Sequence, residues 1–291
     1  MKTMKKLYYI IFTALIVTSC ELYDQDDYVE QYVVESYQVA LHPLADIQLT
    51  RTAPINEVFD LSQRGVSGAS VVVREFDQNS NLVQLFTYSY SGNGRYSADS
   101  PDNLVKPRYR YDLEITLADK LIRASTVVPD TFVLSSINAI SLPYQSPQQF
   151  ELKLTPSFYP GRQGYYVFSN ETLDPLNAEM TPFYADASGD REDFYRISSG
   201  IVNETSTGQN GNALVELKFP WIGIAFYGPN RLRAAAIDDN MYDFIRSIST
   251  QGGGSNISPG EIQNFISNVE GGIGVFGSYA DVYVDVTVTK P

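Results

Sequence analysis

From Val282 to Thr289 the chain alternates without a break: Val282, Val284, Val286 and Val288 are apolar, and Tyr283, Asp285, Thr287 and Thr289 stand between them. A period of two puts the valines on one face of an extended strand, so the segment predicts a half-buried β-strand. Residues 32–39, 69–76, 82–90, 109–117 and 121–128 are runs of similar length, rich in β-branched and aromatic residues. Turn chemistry separates them, in Gly65-Val66-Ser67-Gly68, 77–81, 91–94 and Pro101-Asp102-Asn103. Short strands spaced about 8–12 residues apart predict an antiparallel sandwich.

Helical periodicity is confined to the second half. Ile237, Met241, Phe244, Ile245 and Ile248 share a face if residues 233–248 are helical. Ser258-Pro259-Gly260-Glu261 reads as a capping box with proline at the first helical position, opening a short helix through Ile262, Phe265 and Ile266. Pro129 follows the strand that ends at Val128 and lacks the N–H a ladder needs, which predicts a boundary there. The expected fold class is all-β. It comprises two β-sandwich units, one over 30–128 and a second β-rich domain over 129–291 with a few short helices inserted.

The N-terminus has a different pattern. Lys2, Lys5 and Lys6 precede an apolar stretch from Leu7 to Val17, too short for the roughly 20 residues of a membrane-spanning helix but suited to a signal peptide. Val17-Thr18-Ser19-Cys20 ends it and resembles the bacterial lipobox, which predicts a signal over 1–19 and a lipid on Cys20. Buried methylenes contribute about 0.8 kcal/mol each, so several acyl chains anchor stably. Cys20 is the only cysteine, so the expected mature chain has no disulfide. Without the three signal lysines it carries 18 Lys and Arg against 34 Asp and Glu, an acidic balance that argues against nucleic acid as a partner. Residues 20–29 read as an acidic tether. Within it Asp24, Asp26 and Asp27 resemble the signal that carries Bacteroidota lipoproteins to the outer face of the outer membrane.

Candidate chemistry is sparse. A catalytic triad or a zinc site needs histidine among several partners, and His42 is the single histidine. The expectation is no enzyme, no cofactor and no metal site. Residues 186–193 hold the densest acidic run and lack the register of a calcium loop, so they read as a solvated loop. The glycine run from Gly271 to Gly277 follows an expected helix and precedes a strand, the wrong order for a phosphate loop. It predicts close backbone approach, with Phe276 as a core plug. Trp221 and the pair Tyr165-Tyr166 are candidate sugar-stacking aromatics. Trp221 lies in the apolar run FPWIGIAFY and reads as a core strand residue.

The segments YVVESYQV, IQLTRTAPIN, VSGASVVVRE, NGRYSAD and YDLEITL, in that order, with the tail ISNVEGGIGVFGSYA, resemble a family of Bacteroidota outer-membrane lipoproteins described as domain of unknown function 4249. The first half is also similar to carboxypeptidase-regulatory-type immunoglobulin-like sandwiches. The resemblance implies a surface-exposed, non-enzymatic binding or accessory component of a TonB-dependent uptake complex, and no catalytic residue. The competing expectation is an independent glycan-binding or glycan-degrading lipoprotein, which an exposed Trp221 would favour.

Overall fold

A computed structural model describes residues 28–54, 57–118, 120–204, 214–251 and 266–291. The expected signal, Cys20, the acidic residues Asp24, Asp26 and Asp27, and the start of the helix expected at Ser258 lie outside them.

The protein is all-β with few short helices. In chain order the elements are β1 (Tyr32–Val39), β2 (Ile47–Arg51), a helical turn α1 (Leu61–Arg64), β3 (Ser70–Phe76), β4 (Leu82–Gly92), β5 (Arg95–Ala98), β6 (Arg110–Thr116) and β7 (Leu121–Val127). There follow β8 (Leu134–Ile137), β9 (Ser141–Pro143), β10 (Glu151–Leu154), β11 (Tyr165–Thr172), α2 (Pro182–Ala185), β12 (Arg196–Ser198), β13 (Val202–Asn203) and β14 (Val215–Lys218). The chain ends through β15 (Gly228–Ile237), α3 (Asp239–Gln251) and β16 (Ile273–Thr289).

The large sheet runs in the order β12-β11-β15-β16-β1-β2-β5-β4-β3-β6-β7, with β13 beside β11 and β9 beside β16. A small sheet has the order β14-β10-β8. Strand β16 is the seam. Its first half pairs in parallel with β1, from Val33 opposite Ile273 to Val39 opposite Tyr279. Its second half pairs antiparallel with β15, from Ile237 opposite Tyr279 to Gly228 opposite Val288. Beyond β7, Arg123 and Glu270 exchange backbone hydrogen bonds of 3.0 and 2.8 Å, so the strands from β1 to β7 return to the segment that leads into β16.

Residues 30–128 and 129–291 therefore share a sheet, and they also share a core. One apolar cluster takes in Val34, Ile47, Leu113 and Ile122 from the first segment and Phe150, Leu152, Phe276 and Val288 from the second. Gln31–Pro291 forms one compact unit. Pro129 marks a change of course after β7, not a division between cores.

Two local expectations need correction. Residues 233–237 are the end of β15, and the helix starts only at Asp239. Ala234, Ala235 and Ala236 favour helix intrinsically. Here each is paired on one side with β11 and on the other with β16, and that pairing outweighs the propensity. The run FPWIGIAFY is not a strand either. Residues Trp221–Gly223 form a 3₁₀ turn after Pro220, whose ring supplies no N–H for a ladder.

Candidate functional site

The junction between β15 and α3 carries a buried polar node. Asp238 is fully buried, and its carboxylate accepts from the Thr126 hydroxyl at 2.5 Å and the Met241 backbone N–H at 2.8 Å. Thr126 Oγ1 also lies 2.7 Å from Ser278 Oγ, and the Ser278 hydroxyl reaches the Val127 carbonyl at 3.1 Å. Asp238 thus caps α3 while tying it to β7 and β16. Burial pushes its pKa up to about 7, against the lowering effect of the Thr126 hydroxyl and the backbone N–H groups of Met241 and Ser278. A helix over 233–248 would carry Asp238 within its length, beside Ile237. The structure puts it at the helix start and inside.

Beside the node, Arg162 lies over the rings of Tyr159 (3.9 Å) and Tyr165 (4.2 Å), and its Nε donates to Asp239 at 2.5 Å. Tyr165 also stacks on Tyr242 of α3 at 4.4 Å. A cavity of about 360 Å³ opens here, lined by Tyr165, Tyr242, Asn203 and Ile245 among others. A second groove of about 360 Å³ crosses β3, β6 and β7, but its charges answer one another. Arg74 donates to Glu114 at 3.1 Å and Arg123 donates to the same carboxylate at 3.2 Å, so Glu114 sits below the usual carboxylate range.

A third opening has a different character. It is a slot of about 200 Å³ between the end strands of the two sheets, with Phe168 and Asn170 of β11, Ile197 and Ser198 of β12, and Leu217 of β14 in its walls. Asn170 is 3% exposed. Its Nδ2 donates to Asn230 Oδ1 at 3.1 Å, while its Oδ1 has no hydrogen-bond partner among the described residues. Asparagine is uncommon inside strands, which was the one sequence signal for this position.

The residues singled out from sequence are scattered. His42 is exposed in the turn after β1, with its backbone N–H donating to Val39 O. Trp221 packs against the core, sits edge-on to Tyr144 and Phe150, and donates through Nε1 to Ser146 O at 2.9 Å. Tyr166 is buried, and the ring of Tyr165 is engaged by Arg162 and Tyr242, so neither offers a free stacking face. In the acidic run, Asp193 accepts from the Asp190 N–H at 3.0 Å in a capping box that orders the 3₁₀ turn Arg191–Phe194. Phe276 is a core plug, as expected. Gly272 and Gly274 lie where a Cβ would meet the carbonyl oxygens of Tyr32 and Val34.

Strand content, sheet order and core define an all-β protein with one large mixed sheet and one small one. It belongs to the family described as Domain of unknown function (DUF4249), whose sequence profile matches residues 20–283. No curated protein matches the chain. Among solved structures it is similar to native Escherichia coli alpha-2-macroglobulin, at 9% identity and a TM-score of 0.23 over 73% of this chain and 13% of that one. The trypsin-activated form gives 9% identity and a TM-score of 0.21 over 73% of this chain and 15% of the other.

Proposed function

We propose that this chain is a Bacteroidota lipoprotein held in the outer membrane through Cys20 and displayed on the cell exterior. There its β-rich body serves as a non-enzymatic binding or accessory component beside a TonB-dependent transporter. Strands β1–β7 are, in this reading, a unit of the carboxypeptidase-regulatory immunoglobulin-like type that shares its sheet and core with the rest of the chain.

The spacing of anchor and body carries the proposal. The compact unit begins at Gln31, eleven residues after Cys20, and Glu21, Asp24, Asp26 and Asp27 occupy the interval. At about 3.3–3.6 Å per residue, such a tether reaches at most about 40 Å. A body on so short a leash stays beside proteins embedded in the same membrane. That suits an accessory subunit better than a roaming hydrolase. The start of the family match at Cys20 is in keeping with this. The competing reading, an independent glycan-binding or glycan-degrading lipoprotein, draws no support from Trp221, which is held on the core.

The test is in-cell crosslinking of the full-length tagged protein, followed by purification from native membranes. A TonB-dependent transporter should be recovered in near-equal amount. Recovery of the protein with no transporter removes the accessory role.

A further inference from the structure

The slot between the sheets combines three features that arise independently. The first is a pair of strand edges. Among the described residues β12 pairs in its sheet only with β11, and β14 only with β10. Phe219 N–H donates to Phe150 O, which fixes the parity of the β10–β14 ladder. Residues Leu217 and Val215 therefore face β10 with their backbone groups, and Glu216 and Lys218 turn theirs outward. An edge of this kind is a template for another extended chain.

The second feature is the slot itself, bordered by both edges and walled by Phe168, Ile197, Leu217, Phe219 and Ile222. At about 200 Å³ it is smaller than the roughly 300–1,000 Å³ of small-molecule clefts, and it suits a single large side chain. The third is Asn170, buried among these apolar walls with Oδ1 unpartnered. A buried acceptor without a donor is costly and rare, and a ligand that supplies the donor removes that cost.

Outward-facing backbone groups call for an extended peptide. An apolar slot containing one orphan acceptor calls for an aromatic side chain whose polar tip donates. We propose that this face is a peptide-binding site, in which a segment of a partner protein adds as a strand to the edge of β14 and inserts a tyrosine whose hydroxyl donates to Asn170 Oδ1. The recognition is strand addition with side-chain specificity from a pocket. It deepens the binding role proposed above and rests on it, yet it is measurable without membrane or transporter.

The experiment uses the full chain in lipid nanodiscs and two heptapeptide libraries, with Tyr or Phe fixed at the centre and flanks drawn from Thr, Val, Ser and Lys. The tyrosine library should bind at least about tenfold more tightly, the effect of leaving one buried acceptor unmet. Asn170→Leu should erase that preference. Lys218→Pro, which removes an outward N–H from an edge strand, should weaken both libraries alike. Because Asn170→Leu also deprives Asn230 of a donor, a second variant guards against a folding artefact. Gly223 borders the slot with no atom within 4 Å of its would-be Cβ, so Gly223→Phe should fold normally and block binding of both libraries. Absence of binding by the tyrosine library, or equal binding of the phenylalanine library to the wild type, overturns the proposal.

Discussion

Thr126 and Asp238, 112 residues apart in the chain, meet inside the protein through a 2.5 Å hydrogen bond from hydroxyl to carboxylate. The bond fastens the end of β7 to the cap of α3, and Ser278 completes the node from β16. A fully buried aspartate is ordinarily a liability, because burial disfavours its charged form. Three donors reduce the penalty here without cancelling it, and the Asp238 pKa stands at about 7.

The sign of the consequence follows from proton linkage. The folded protein holds the Asp238 proton up to about pH 7, while the unfolded chain releases it near pH 4. Between those values the native state binds more protons, so this group's contribution to stability falls as pH rises and is constant above about pH 7. Asp238→Asn removes that titration. It keeps an acceptor for Met241 N–H, and its amide can donate to Thr126 Oγ1, whose proton then turns to Ser278. Urea denaturation of both proteins at pH 4.5 and pH 8 checks this. The variant should gain on the wild type by on the order of 2–4 kcal/mol between the two values. A difference that does not change with pH would sink the assignment.

The parallel pairing of β1 with β16 makes the second prediction. Gly274 stands opposite Val34 at φ +122°, and a Cβ there would lie 2.0 Å from the Val34 carbonyl oxygen. Gly274→Val should therefore cost roughly 3 kcal/mol or more, from the unfavourable φ and a displaced strand together. Gly272→Val, with its nearest contact at 2.8 Å to Tyr32 O, should cost about 1–3 kcal/mol. Gly223→Ala, in open space, should stay within about 0.5 kcal/mol of wild type. Melting temperatures of the three variants decide the order. Equal losses at Gly274 and Gly223 would refute the close-approach reading.

The strands that were legible in the sequence are those with one buried face. In β7, Ile122, Ala124 and Thr126 point inward and Leu121, Arg123 and Ser125 outward, and that alternation is written in residue types. In β15 the arginines and alanines carry a helical appearance, and only pairing with two distant strands shows otherwise. The joining of both segments through β16 could not be read at all, because parallel pairing with β1 depends on which strands meet and not on their composition. The candidate site was legible in a different sense. Trp221 is a candidate stacking aromatic by sequence, yet its indole is bound to Ser146 O and the core. Asn170 is marked in YYVFSNET only as an asparagine inside a strand, and its significance lies in a missing donor, which no linear pattern encodes.

The proposed anchor gives the third prediction. With the compact unit beginning at Gln31, Cys20→Ala should leave the fold intact while abolishing acylation, membrane retention and cleavage by the lipoprotein peptidase. Cell fractionation with immunoblotting reads the outcome. A mature Cys20→Ala protein that still sediments with membranes would mean that something other than the lipid holds it there.

Surface display is the last prediction, and it separates sorting from folding. Asp24, Asp26 and Asp27 precede the compact unit, so replacing all three with Ala should change stability by no more than about 0.5 kcal/mol. The proposed acylation of Cys20 should also be unaffected, since the change lies after the expected cleavage point. What should change is the face of the membrane on which the protein ends. In wild-type cells, protease added outside should digest it. The triple variant should be lipidated, folded and protected until the outer membrane is permeabilised. With the proposed lipid on Cys20, the eleven-residue interval would not carry the body through the bilayer by reach alone, because a tether of at most about 40 Å would leave a folded β-unit on the side where that lipid is inserted. Retention would therefore separate the body from extracellular ligands without disturbing any contact within it, and uptake dependent on the protein should be lost while its melting curve is unchanged. Protection of the wild-type protein in intact cells would instead place the body, and the peptide-binding slot with it, on the periplasmic face.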